Sequence, residues 1–295
     1  MSTELVTRQP VDAAPRIVKP NRIRRSRPNG AAGIAACLWL ALVAVPLYFI
    51  LATSFRSHDA YVSAGPLDLP TSLTLHNYIN AFKLGFATLL RNSVMVTVGT
   101  VAIVLALALP ASYAIVRGQS RTVRLGFNIF LLGLAIPAQA VIIPIYFIIT
   151  KLSLYDTPIA IILPTAAFSL PMSVVVLTST LRDVPNELYE AMTVDGAGNG
   201  VMFWRLVLPL ARPGLISVGI FAGLNGWNGF LFPLILTQAS DQRVLSLGLW
   251  NFQSQYGTDV PGLMAEVVLS ALPVLVLYLF GRRHLLSGLA AGFGK

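Results

Sequence analysis

Long apolar runs that carry almost no charge constrain the fold of this chain more than any other feature of its sequence. Only 11% of the 295 residues are charged, whereas 55% are hydrophobic. A soluble globular domain carries roughly 25% charged residues, so this chain has too little polar surface to coat a water-soluble globule. The sequence therefore predicts an all-α integral membrane protein with membrane lipid as its main solvent.

Six segments are apolar over the roughly 20 residues that a helix needs to cross the hydrocarbon core. These segments are 33–54, 86–110, 125–150, 157–179, 212–238 and 264–282. Prolines interrupt the third and fourth segments and predict kinks there, at Pro137, Pro144, Pro164 and Pro171. The first run is too long for the core of an ordinary signal peptide, so we expect it to be retained.

Basic residues indicate how the six helices are oriented. With the N-terminus inside, the cytoplasmic parts are 1–32, 111–124, 180–211 and 282–295. Sixteen of the 21 Lys and Arg residues lie in or next to these parts, and positive charge concentrates on the cytoplasmic side of membrane proteins. We therefore expect both termini in the cytoplasm, a disordered basic tail over 1–32, and a six-helix domain over 33–295.

The charge and the titratable residues also exclude several classes of function. The basic residues are spread over separate patches rather than one folded face, so no nucleic-acid partner is expected. Cys37 is the single cysteine, and His58, His76 and His284 lie in separate regions of the sequence, so no metal site is expected. The sequence contains no phosphate-binding loop of the Gly-x-x-x-x-Gly-Lys-Ser/Thr type. We expect no catalytic residue and no cofactor in this chain.

The loop between the fourth and fifth apolar segments, 180–211, differs from the other loops. Asp183 and Pro185 predict the start of a helix. Glu187 and Glu190 would then lie in its first two turns, where they favour the helix dipole. The sequence therefore predicts a helix on the inner membrane surface that begins near Asp183.

The second part of this loop predicts a turn and another short helix. Asp195-Gly196 ends the first helix, and an amphipathic stretch over 201–208 follows, closed by Pro209. Apolar residues of the first helix recur at helical spacing and define one face, namely Leu188, Ala191 and Met192.

This loop resembles the signature of ABC importer permeases, which reads Glu-Ala-Ala, three residues, Gly, nine residues, Ile, one residue, Leu-Pro. The residues at that spacing here are Glu190, Ala191, Met192, Gly196, Leu206, Leu208 and Pro209. Met192 replaces the second Ala and Leu206 replaces the Ile. The resemblance implies the type I ABC importer permease fold, in the bacterial inner membrane.

Other segments resemble the second permease subunit of maltose-type sugar importers. These segments are Pro144-Ile-Tyr146, Leu163-Pro164, Trp227–Leu234 and the chain end from Leu272 onward. The resemblance implies that the chain moves a sugar delivered by an extracytoplasmic binding protein. It also implies a heterodimer with a second homologous permease and a separate dimer of ATPase subunits that binds ATP and Mg. Gly229 stands where an acidic residue is common in that branch.

The resemblance further implies a coupling helix that fits a groove of the ATPase. The residues expected to carry this contact are Glu187, Glu190, Ala191, Met192, Asp195, Gly196, Leu206 and Pro209. A surface amphipathic helix without a partner is the alternative interpretation.

Polar residues inside the predicted spans are candidates for the substrate pathway, because polar groups are costly in hydrocarbon. These residues are Asn225, Trp227, Asn228 and Glu266. Amides and an aromatic ring suit a sugar, whereas hydrogen bonding between helices is the alternative. An ion-coupled secondary transporter is the rival function, but it needs intramembrane carboxylates, and only Glu266 lies near a span.

The predicted outer loop at 239–263 is long enough to contact a partner and contains aromatic and amide side chains. The residues that we expect to contact the binding protein are Trp250, Phe252, Gln253, Gln255 and Tyr256. Aromatic anchoring at the membrane interface is the alternative interpretation of the same residues.

Overall fold

The computed structural model describes residues 30–65, 68, 73–118, 120–254 and 257–293, and only the backbone of Ser254 and of 280–293. The predicted tail lies outside these residues, except that 30–32 already belong to the first helix. Helix α1 spans Gly30–Ser54 and contains Pro46. The chain divides there into two units, one that ends at Pro46 and one that begins at Leu47.

The described part of the second unit is almost entirely helical. After α1 the helices are α2 (His58–Ala64), α3 (His76–Lys83), α4 (Phe86–Arg117), α5 (Arg121–Gly133), α6 (Ile142–Lys151), α7 (Pro158–Arg182), α8 (Asn186–Val194), α9 (Asn199–Met202), α10 (Leu208–Leu210), α11 (Arg212–Asn228), α12 (Leu231–Leu236), α13 (Leu245–Gly248) and α14 (Val260–Phe293). Short 3-10 turns lie at Ala138–Val141 and Leu249–Phe252, and a π turn at Phe203–Val207 joins α9 to α10. Strands β1 (Gln253–Ser254) and β2 (Gly257–Thr258) form a small antiparallel hairpin.

Four described helices are each long and apolar enough to cross a membrane, namely α1, α4, α7 and the Val260–Leu279 part of α14. Two bent pairs reach the same criterion when each is taken as one span. They are Arg121–Gly133 with Ala138–Lys151, bent by 97°, and Asn199–Leu210 with Arg212–Asn228, bent by 73°. Up to six spans result, which agrees with the six predicted apolar segments.

The prolines act differently in the third and fourth segments. Pro137 adopts an extended backbone, with φ −71° and ψ 133°, and the predicted kink there is a break between α5 and the turn before α6. Pro144 lies in the first turn of α6, where the amide that it lacks would have no partner within the helix. The fourth segment is not broken, because α7 runs continuously through Pro164 and Pro171, and the kinks at these two prolines stay a prediction.

The fifth and sixth segments have other bounds than predicted. The fifth is broken between α11 and α12, where Gly229 leaves the helical conformation with φ −56° and ψ 125°, and a Cβ atom there would lie 2.9 Å from the carbonyl oxygen of Asn225. The sixth begins at Val260 rather than at 264, and its helical backbone continues to Phe293, past the predicted end at 282.

Small residues allow α11 to pack closely on α4 and α7. Gly223 and Gly226 face α4, and a Cβ atom on Gly226 would lie 3.0 Å from the Cα atom of Thr97. The equivalent atom on Gly223 would lie 3.6 Å from a methyl group of Val101, an ordinary contact. Without a hydrophobic driving force in lipid, such close backbone approach supplies much of the attraction between helices.

We predict that Gly226→Ala destabilises the protein relative to Gly223→Ala by about 1–3 kcal/mol, the cost of overpacking a well-packed core. Both substitutions gain the same helix propensity, so the difference reports only the contact with the α4 backbone. The midpoint of detergent-induced unfolding measures it. Equal midpoints for the two variants would show that α4 does not limit the space at Gly226.

Candidate functional site

A buried tyrosine attaches the cytoplasmic helix α8 to the membrane-spanning helices. The Tyr189 side chain is 1% exposed and packs in the same apolar cluster as Leu177 and Leu181 of α7. Burial raises the pKa of its phenol above the usual value. Tyr189 is absent from the predicted site residues, although it stands three positions before Met192 and so shares a helix face with it.

The cytoplasmic end of α4 contacts the same tyrosine. The Arg117 guanidinium lies 4.5 Å from the centre of the Tyr189 ring, a cation–π contact worth about 0.5–2 kcal/mol. Arg117 Nη1 also donates a hydrogen bond of 3.4 Å to Asn186 Oδ1. Helix α8 is therefore fixed to the inner ends of both α4 and α7.

The opposite face of α8 is free among the described residues. Glu187, Glu190 and Ala191 are exposed there. Met192 differs from the expectation, because it is half-buried and packs against the apolar cluster that holds Tyr189. The exposed face therefore combines two carboxylates with Ala191 and with Val194, which is 88% exposed, while Tyr189 and Met192 pack against the membrane-spanning helices.

The start of α8 also differs from the prediction. Asp183 follows the last residue of α7, so it belongs to the end of that helix. Pro185 occupies the N-cap position of α8 and Glu187 lies in its first turn. A proline suits this position because it has no amide hydrogen to leave unpaired.

The predicted turn after α8 is confirmed in detail. Gly196 has φ +78°, and its amide donates to the Thr193 carbonyl over 3.0 Å. The Ala197 amide donates to the Met192 carbonyl over 2.9 Å. These two bonds form a Schellman cap, which needs a left-handed residue that glycine provides most cheaply. Asp195 precedes this glycine and is exposed.

The second half of the signature, Leu206 to Pro209, packs against the main apolar cluster and precedes a bend in the chain. The expectation that Pro209 closes the helix is wrong, since the helix continues to Leu210. The Leu208 amide donates to the Phe203 carbonyl five residues back, which widens the helix just before the proline. Leu206 packs against the main apolar cluster and Val207 is fully buried. Leu206 and Pro209 are therefore placed to shape the 73° bend into α11.

The four predicted pathway residues do not converge on one site among the described residues. Asn225 Nδ2 donates to Ser169 Oγ of α7 over 3.3 Å, whereas Asn228 Nδ2 donates to the Leu224 carbonyl of its own helix. Trp227 packs half-buried against an apolar cluster near α14. Glu266 of α14 is 2% exposed, next to Gly248, and its Oε1 has no hydrogen-bond partner within the described ranges.

The predicted outer loop is folded rather than extended. Phe252 is 5% exposed and packs with Phe86 and Leu89 of α4, so its predicted role as a contact residue is wrong. Trp250 is 41% exposed, with its ring edge-on to Phe230. Gln253 is exposed at the start of β1. Gln255 and Tyr256 lie outside the described residues.

Hydrogen bonds from the outer end of α4 hold this loop in place. Asn92 Nδ2 donates to the carbonyl oxygens of Asp241 and Arg243, over 2.7 and 2.9 Å. Ser93 Oγ accepts from the Leu245 amide over 2.8 Å. Trp250 is therefore displayed by a segment that is anchored to a membrane-spanning helix.

Two of the three histidines line one pocket. His58 and His76 line one outer pocket with Asp259, and His58 Nδ1 lies 3.3 Å from Asp259 Oδ1. The described part of the chain nevertheless contains no group of three His, Cys, Asp or Glu side chains with the geometry of a metal site. His284 lies among the residues whose side chains are undescribed.

Comparison with known families identifies the chain. Residues 102–289 match the family model described as binding-protein-dependent transport system inner membrane component. This chain belongs to that family. It is therefore a membrane permease subunit of a binding-protein-dependent ABC importer rather than an enzyme, and it works with an ATPase and a substrate-binding protein.

Curated relatives match this permease over nearly its whole length. It is 38% identical to "Putative ABC transporter permease protein ORF2" of Caldicellulosiruptor sp. (strain Rt8B.4), over 89% of this chain and 95% of that one. It is 34% identical to "Diacetylchitobiose uptake system permease protein NgcG" of Streptomyces coelicolor, over 86% and 85% of the two chains. These relatives and the family model argue against the rival, an ion-coupled secondary transporter.

A solved structure has the same fold. It is a chain of a bacterial ABC transporter involved in the import of the acidic polysaccharide alginate, with a TM-score of 0.75 and 22% identity, covering 88% of this permease and 98% of that chain. The likeness confirms the predicted type I importer permease fold.

We predict that Gly196→Val abolishes most uptake. Valine disfavours φ +78°, at a cost of about 1–3 kcal/mol, and the turn between α8 and α9 then reorients the exposed face. Gly198→Val is the matched control, since Gly198 has an extended backbone with φ −74° and ψ 167° and open space around its Cα. Uptake in membranes that contain equal amounts of each variant measures the effect, and wild-type uptake by Gly196→Val would contradict it.

Proposed function

We propose that this permease moves a sugar across the bacterial inner membrane and that α8 is the helix through which ATP hydrolysis drives the movement. The exposed Glu187–Glu190–Ala191 face, held rigid from behind by Tyr189, supports this proposal most directly. A short helix with a small residue between carboxylates fits a groove lined by basic side chains. ATP and Mg would bind to the ATPase subunits, and this chain would supply no catalytic group.

The contacts of α8 provide a route for the movement. ATPase closure would shift α8, and the Tyr189–Arg117 contact would carry that shift to the inner end of α4. The bend at Pro209 connects the same loop to α11, which carries Asn225 and Asn228. Rigid helices that tilt together in this way can alternate access between the two sides of a membrane.

Two exposed amides support a second permease subunit as partner. Asn225 and Asn228 are exposed on α11, in a segment that spans the bilayer with α9 and α10. Amides that face lipid are costly, so this face of α11 suits a polar pathway between two subunits. A homologous permease that completes a heterodimer would provide the other wall of that pathway.

The substrate class rests on a relative and on the outer loop. The Streptomyces coelicolor relative is named for the uptake of diacetylchitobiose. Trp250 and Gln253 are both exposed on this loop, and an aromatic ring with an amide suits either a sugar or the binding protein that delivers it. We assign Trp250 to the binding protein because it lies on the outer loop that α4 anchors.

We predict that Glu190→Lys abolishes the substrate-stimulated ATPase activity of the assembled importer while the subunit still inserts into the membrane. Placing a lysine against a basic groove would cost about 2–5 kcal/mol of docking free energy. ATP hydrolysis by the complex in liposomes, with the binding protein present, measures the coupling.

Glu190→Gln is the matched control and should retain part of the stimulation, because it removes the charge without reversing it. An acidic substitution of the facing basic residue in the ATPase should restore activity to Glu190→Lys. Normal stimulation of Glu190→Lys would count against α8 as the coupling helix.

We predict that Trp250→Ala mainly weakens docking of the binding protein, whereas Phe252→Ala mainly lowers the stability of the permease. Trp250→Ala should weaken binding-protein docking by about 2 kcal/mol or more, as for an exposed aromatic hot spot, while the loss of its contact with Phe230 costs only about 0.5–1.5 kcal/mol of stability. Phe252→Ala should lower stability by about 3–5 kcal/mol through cavity formation. Binding-protein affinity and thermal unfolding separate the two, and equal affinity for Trp250→Ala and wild type would exclude the contact.

A further inference from the structure

A pocket with a volume of about 440 Å³ lies where the inner ends of α4, α5 and α7 meet. Its polar part is formed by Arg124 of α5, Arg182 of α7 and Ser120. Ser120 caps α5, since its Oγ accepts a hydrogen bond from the Val123 amide over 3.2 Å. None of the residues proposed to contact the ATPase lines this pocket.

The pocket carries two positive charges, and no acidic side chain among the described residues lines it. The Arg124 and Arg182 side chains are both exposed, and neither guanidinium makes an ion pair or a hydrogen bond with any described residue. Arg182 lies 5.8 Å from the centre of the Phe127 ring, its one aromatic contact in the described part of the chain. Two guanidinium groups that share a pocket without a counter-charge create an anion-binding site, and their planar forks suit phosphate oxygens.

The other side of the pocket is apolar and borders the bilayer. Ile115, Val123 and Phe127 line it. Immediately beyond the pocket, α5 exposes an apolar stripe at helical spacing, formed by Leu125, Ile129 and Leu132. An apolar stripe of this kind on a membrane helix faces acyl chains, so the pocket lies at the level where lipid headgroups begin.

These features favour one ligand chemistry. A free phosphate would be matched by the arginines but not by the apolar wall, whereas a phospholipid matches both. We propose that this pocket binds the phosphate-bearing headgroup of an anionic phospholipid of the inner leaflet, with its acyl chains along the exposed stripe of α5. Basic pockets between helices on the cytoplasmic side are suited to such headgroups.

Because Arg182 lies close to α8 in the sequence, a lipid bound to it would also affect the proposed coupling between α8 and the ATPase. Arg182 ends α7, four residues before Asn186 begins α8. A headgroup that bridges Arg124 and Arg182 would hold the start of α5 against the end of α7. It would therefore stabilise the segment from which α8 extends.

Native mass spectrometry of the assembled importer tests the proposal. The complex is purified from nanodiscs of phosphatidylcholine, or of phosphatidylcholine and phosphatidylglycerol in equal parts, and the retained lipid is counted. Wild type should retain phosphatidylglycerol in preference to phosphatidylcholine. Each arginine contributes about fivefold to affinity, so Arg124→Gln with Arg182→Gln should reduce phosphatidylglycerol affinity roughly 25-fold. Arg212→Gln, which changes an exposed cytoplasmic arginine outside the pocket, should leave retention unchanged.

Thermal unfolding provides the second readout and identifies the source of the phosphate. Phosphatidylglycerol should raise the unfolding midpoint of wild type but not of the double variant. Excess inorganic phosphate in phosphatidylcholine nanodiscs should have no such effect, and an equal rise with inorganic phosphate would overturn the lipid assignment. Equal retention of the two lipids by wild type, or undiminished retention by the double variant, would also overturn it. If the double variant does not assemble, Arg124→Gln alone should still lose about fivefold in retention.

Discussion

The arrangement of this permease depends on the burial of one aromatic ring at the membrane surface. Tyr189 fixes α8 from behind, against α7 and beneath the Arg117 guanidinium, and this leaves the acidic face of α8 free. A surface helix held only by its loops would absorb a push by bending. A helix whose buried ring is packed among membrane-spanning helices can pass that push on, because a close-packed interior transmits strain.

Helix α4 connects the two ends of the molecule that the proposed function requires. At its outer end Asn92 and Ser93 hold the loop that displays Trp250, and at its inner end Arg117 contacts α8. These points are about 37 Å apart along a continuous helix at 1.5 Å per residue. Helix α11 packs closely on α4 at Gly226. Docking of the binding protein outside and ATP hydrolysis inside would therefore act on one rigid group of helices.

The sequence predicted the spans and the signature loop but not their finer arrangement. The length of the apolar runs is enough to predict the six segments, and the Asp195-Gly196 pair is enough to predict the turn, because both depend only on residues close together in the sequence. The spacing of apolar residues places Met192 on one face of α8 but does not show which face packs against the membrane-spanning helices. The burial of Tyr189 depends on that same packing, so the spacing does not predict it. Phe252 resembled an exposed loop residue because its burial depends on α4, far away in sequence. A proline typically ends a helix, so the sequence predicts an end at Pro209, whereas the π turn that accommodates this proline has no recognisable sequence pattern.

The accessibility of one residue on α8 tests the central claim most directly. Cys37 is the only cysteine, so Ala191→Cys in a Cys37→Ser background provides a single thiol on the proposed coupling face. In inside-out vesicles a membrane-impermeant maleimide should label this thiol in the permease without its ATPase, and assembly with the ATPase should protect it. Labelling only from the outer side of the membrane, or equal labelling with and without the ATPase, would contradict the account.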